Sequence, residues 1–130
     1  MPPILYTNIF LWIPLFIALW KGEWIYFTIA LCLSISSPIY HYLREHNSKS
    51  KVYTTAREMD WSFAILSYGY MFYFIFAKVA VEMRLLLSAM LFLTIVFFFY
   101  GWKFGDYKKL HPWFHVVASL VSSVIVFMGV

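Results

Sequence analysis

Five apolar stretches, each close to the length of a membrane crossing, occupy most of this 130-residue chain. A spanning helix needs about 20 largely apolar residues. Windows at residues 4–20, 24–42, 59–77, 85–102 and 112–130 approach that length. The segments between them are too short to build a soluble domain. Composition agrees: 63% of residues are hydrophobic, 12% are charged, and mean hydropathy is +0.76. An ordinary soluble domain carries roughly 25% charged residues, and this chain has too few to cover so much apolar surface. It therefore reads as one all-α transmembrane domain over residues 1–130, a polytopic bundle of about five helices.

Phe suits hydrocarbon, while Tyr and Trp favour the headgroup level, so an aromatic share of 23% fits the same solvent. The net charge of +4 lies in short loops. No basic stripe with interleaved aromatics stands outside the apolar windows, so nucleic acid is not an expected partner. The single cysteine, Cys32, excludes an internal disulfide and reads as a small apolar filler. Met1-Pro2-Pro3 has no basic leader, and no small-residue cleavage site follows, so the first window is expected to persist in the mature chain.

Pro14 predicts a kink in the first helix. The connections at residues 21–23, 78–84 and 103–110 read as short turns, and residues 44–58 as the one substantial polar loop. Helices joined this closely pack antiparallel. The side that holds the N-terminus then also holds Arg44, Lys49, Lys51, Arg57, Lys103, Lys108 and Lys109. The opposite side holds Lys21, Lys78 and Arg84. The positive-inside rule places the first side, with the N-terminus, in the cytoplasm and the C-terminus across the membrane.

Ionisable residues inside apolar helices are costly and mark functional sites. His41 ends the second window, Asp60 begins the third, and His111 and His115 open the fifth. Five antiparallel crossings bring all four to one depth beneath the basic face. His111-Pro112-Trp113-Phe114-His115 puts two imidazoles on one helical face. Pro112 suits a first helical turn, which makes His111 an expected N-cap or N′ residue. Ser37 stands four positions before His41, with Ser34 one turn further in. Pro38 is expected to open the helix locally.

Three neutral imidazoles with one open position form a catalytic zinc arrangement, which activates water near neutral pH. Asp60 suits a proton acceptor or a partner to a ligand histidine, and Ser37 suits an oxyanion donor. His46, Glu45, Glu58 and Asp106 read as solvated loop residues. Ser119, Ser122 and Ser123 read as close-packing positions.

The order S-x-x-x-H, a lone Asp opening the next helix, then H-x-x-x-H opening the last helix resembles the CREST superfamily of membrane hydrolases. That group includes alkaline ceramidases and the progestin and adipoQ receptors. The matching positions are Ser37, His41, Asp60, His111 and His115. The resemblance implies Zn2+ held by His41, His111 and His115, with hydrolysis of a lipid amide or ester. Members typically have seven helices. A loss of two between the third and the last keeps the parity, so the site still assembles on one face.

The first expectation is a zinc-dependent membrane hydrolase acting on a membrane lipid from the cytoplasmic side. The alternative is a non-catalytic membrane subunit or scaffold that docks a partner through aromatic-rich helices, as a homo- or hetero-oligomer. A proton relay is a third possibility. The far halves of the second, third and fifth helices hold no ionisable group, which argues against it.

Overall fold

The computed structural model describes residues 6–105 and 107–129, all in helices and short connections, with no strand among them. Met1, Pro2, Pro3, Ile4, Asp106 and Val130, which figure in the reading above, lie outside the described residues. A 3-10 turn, Asn8–Leu11, leads into α1, Trp12–Lys21. Four longer helices follow: α2, Trp24–His46; α3, Lys51–Lys78; α4, Val81–Lys103; and α5, Tyr107–Met128.

Pro14 does not kink a long first helix. It is the third residue of α1, where a missing N–H forfeits no intrahelical bond. The change from 3-10 to α-helix stands where the kink was expected. Gly22 closes α1 with φ +72°, a left-handed C-cap that an L side chain resists.

The expected loop at 44–58 is mostly helix. Between α2 and α3 only residues 47–50 remain, and the Ser50 hydroxyl caps α3 by accepting from the Tyr53 amide at 3.0 Å. The helices run on because the segment from Lys51 to Glu58 holds neither glycine nor proline. Pro38 sits inside a continuous α2, so it removes one backbone bond without ending the helix.

α2 packs along α3, and α4 along α5. α1 lies against both α2 and α5, and the 3-10 turn touches α1, α2 and α5. Among the described residues α2 and α5 have no direct backbone packing, so the N-terminal segment separates them.

The interior divides by polarity. Leu15, Ala18, Ala30, Met71, Phe74, Leu87, Leu91, Val121 and Ile125 form an apolar core. They come from the end of α1, the start of α2, the end of α3, the start of α4 and the end of α5. The other half of the bundle buries Asn8, Ser34, Ser36, Ser37, His41, His111 and His115. Outward faces are apolar, with Ile65, Leu85, Phe92, Leu93, Phe99 and Trp113 all exposed.

α4 and α5 are long and apolar enough to cross a membrane by length and composition. The serines and His41 of α2, and the charged first third of α3, make those helices more polar. The apolar helix at Asn8–Lys21 is shorter.

Candidate metal centre

His41 lies about one and a half turns short of the end of α2, and its imidazole points away from solvent, 2% exposed. His111 and His115 are 8% and 6% exposed, stacked one turn apart on the first half of α5. His111 is not a cap. α5 begins at Tyr107, which puts His111 in the second turn and Pro112 inside the helix. That shift buries both histidines on the face toward α2.

The three rings converge. Ring centroids lie 5.2 Å apart for His41–His111, 5.3 Å for His41–His115 and 4.6 Å for His111–His115. One nitrogen from each lies within 4.8 Å of the others. Ligand nitrogens around a tetrahedral zinc stand about 3.3 Å apart, from Zn–N bonds of about 2.0–2.1 Å. Small imidazole rotations close that difference. His41 Nε2 is buried without a hydrogen-bond partner, an arrangement that is costly unless something binds the lone pair or the N–H. A three-imidazole donor set also suits zinc chemically. The residues therefore fit a metal of this class.

Aromatic rings hold the imidazoles from outside. Tyr107 stacks on His111 at 4.4 Å and 20°. The Arg44 guanidinium lies 4.4 Å over the Tyr107 ring, and Tyr40 packs on His41 at 4.7 Å. Phe98 closes the α4 side of His111 at 5.6 Å. The crevice beside His111, lined by Phe97, Phe98, Gly101, Trp102, Leu110 and Phe114 among others, is narrow.

Ser37 lies one turn inside His41. Its hydroxyl donates to Asn8 Oδ1 at 3.0 Å. Asp60 is half-buried on α3, and its carboxylate competes for the same Ser37 hydroxyl. Asp60 stands outside the group of three close imidazoles. The five residues singled out in the sequence thus form two adjacent sets, the histidine triad and the Ser37–Asp60 pair.

Asn8, Tyr107 and Arg44 were not singled out. Asn8 carried a signal, as a carboxamide interrupting the first apolar window. Tyr107 and Arg44 carried none, because cation–ring stacking depends on tertiary placement. His46, expected in the polar loop, is exposed on the last turn of α2 and stacks on Tyr42.

Compared with protein-family models, with curated proteins and with solved structures, the chain matches none.

Proposed function

We propose that this chain is a zinc-dependent integral-membrane hydrolase of CREST type, cleaving a ceramide-like amide or ester of a membrane lipid. The observation that carries this reading is the buried His41–His111–His115 group with the unpartnered Nε2 of His41. When bound, zinc supplies Lewis acidity and a water activated near neutral pH. His41, His111 and His115 hold and orient the ion. The stacked Tyr107 and Tyr40 rings restrict imidazole rotation and shield the site from bulk water. Asp60 accepts a proton at its carboxylate and returns it to the leaving group. Ser37, whose one hydroxyl proton goes to Asn8 Oδ1, has to turn that proton from Asn8 to the acyl oxygen when the lipid binds.

The membrane reading rests on an inverted polarity. Large apolar side chains face outward, while serines, a carboxamide and histidines are buried. A large exposed apolar surface marks contact with lipid or protein. In a bilayer the costly polar groups turn inward. Five crossings with a cytoplasmic N-terminus put the site beneath the basic face.

Purified protein is expected to carry about one zinc per chain, and His41→Ala, His111→Ala or His115→Ala to strip it. The readouts are elemental analysis and hydrolysis of ceramide in mixed micelles. Background metal in the wild type, or metal that survives all three substitutions, sinks the proposal.

The narrow crevice beside His111 favours a second reading, a non-catalytic membrane subunit in which the ion fixes the bundle. Stoichiometric zinc with no turnover of any acyl lipid would select it.

A further inference from the structure

The first half of α3 carries a groove that neither the metal centre nor the apolar core uses. Arg57, Glu58, Trp61 and Ser62 line it, and its volume is about 330 Å³. Small-molecule sites begin at about 300 Å³, so the groove suits a headgroup and not a whole lipid. All four side chains are exposed. Arg57 and Trp61 stand four apart, as do Glu58 and Ser62, which makes two adjacent rows on one helical face. Arg57 and Glu58 are consecutive, and consecutive helical residues do not face each other. Neither has an ion-pair partner among the described residues. The groove thus offers one unpaired cation, one unpaired anion, an indole and a hydroxyl, with no net charge.

Rings behind the groove hold its walls. The Arg57 guanidinium lies 5.8 Å over the Tyr53 ring, and Tyr53 packs on Tyr40 of α2 at 5.7 Å. The Trp61 indole N–H is within hydrogen-bonding reach of the Tyr40 hydroxyl. The cation and the indole are therefore both set against α2, which lowers the entropy lost when a ligand orders them. The two rows then change character. One turn deeper the first continues to Ile65 and the second to Leu66, both large, apolar and exposed. Trp61 stands where the polar part of the face gives way to the apolar part, the level that Trp favours in a bilayer.

We propose that this groove binds the headgroup of a zwitterionic phospholipid, with phosphocholine as its type. The Arg57 fork takes the phosphate oxygens. The quaternary ammonium lies on the Trp61 face beside the Glu58 carboxylate. Ser62 donates its hydroxyl to the phosphate. The acyl chains run on over Ile65 and Leu66, in the bilayer. A purely anionic headgroup meets repulsion from Glu58, and an uncharged one leaves both charges of the groove unmatched. The proposal rests on the membrane-spanning part of the reading above and needs neither zinc nor hydrolysis.

The test uses the full chain in dodecyl maltoside, titrated with dihexanoylphosphatidylcholine and read by native mass spectrometry. Dihexanoylphosphatidic acid lacks the ammonium, dihexanoylglycerol lacks the whole headgroup, and phosphocholine lacks the chains. The choline lipid is expected to bind about tenfold tighter than each of these. Arg57→Ala and Trp61→Ala are each expected to weaken it about tenfold, and Trp61→Phe to recover most of that loss. Glu58→Gln is expected to weaken the choline lipid and strengthen phosphatidic acid, a reversal that a fold defect does not produce. Lys51→Ala, on the same helix outside the groove, is expected to bind as wild type. Equal binding of the choline lipid and dihexanoylglycerol overturns the proposal, as does wild-type binding by both Arg57→Ala and Trp61→Ala. Phosphocholine that binds as tightly as the lipid overturns the lipid assignment in favour of a soluble ligand. Binding is expected to survive chelation with EDTA, and its loss there would move the lipid to the metal centre and overturn the groove. A chain that alkaline carbonate strips from vesicles overturns the proposal together with the membrane reading.

Discussion

Asn8 shows how much one side chain can settle. It is buried, its Oδ1 accepts from Ser37, and its turn touches both helices that carry histidines. Replacing it with Ala removes one of the two acceptors that compete for the Ser37 hydroxyl, leaving Asp60, and is expected to destabilise the fold by about 1 kcal/mol. Thermal unfolding in detergent reads the loss, and an unchanged midpoint would show the contact to be idle. Lys21 is the counterpart at the far end. Its ammonium donates to the carbonyl oxygens of Phe127 (at 2.7 Å) and Gly129, so a residue of α1 caps the end of α5. A cation there also opposes the negative end of the helix dipole. Lys21→Met is expected to cost about 0.5–1 kcal/mol and to speed amide exchange in the last turn of α5. Exchange that stays at the wild-type rate would rule out the cap.

At the scale of elements, most boundaries follow from local chemistry. Gly22 ends α1 because only glycine adopts its φ of +72° freely. Open space surrounds the position where a Cβ would stand, so the penalty for Gly22→Ala is backbone strain alone. That penalty is expected to be about 1 kcal/mol, read by the same unfolding measurement. The site elements were less legible. His41 and the H-x-x-x-H pair could be placed on their helices from spacing, and that much agrees with α2 and α5. The start of α5 at Tyr107, a full turn before Pro112, could not be read, because proline is tolerated inside a helix when packing outweighs its lost bond. The extension of α3 back to Lys51 was hidden for a similar reason. Its polar residues look like loop, but they lie on a helix whose Tyr53 packs against Tyr40 of α2 at 5.7 Å.

At the scale of the whole molecule, large apolar side chains face outward and polar ones are buried, which is what the proposed membrane placement requires. Leu93, near the middle of α4, is 63% exposed. Leu93→Lys is therefore expected to raise the cost of inserting α4 by about 3 kcal/mol. A microsomal insertion assay measures that shift, and insertion as efficient as wild type would place this face against protein. The orientation makes a separate demand. A glycosylation acceptor appended after Val130 should be modified and one placed before Met1 should not, and the reverse pattern would invert the proposed topology.

The sequence by itself determined the all-helical class, the apolar character of the helices and the three histidines. Those depend on composition and on spacing along single helices, which are local quantities. It did not determine that a 3-10 turn would wedge between α2 and α5. It did not show that Asp60 would sit beside Ser37 and apart from the imidazoles, or that Tyr26 would bridge Ser122 and Ser67. Those contacts join residues far apart in the chain. They depend on how five helices share one interior, and that sharing is fixed only when every face has found its partner.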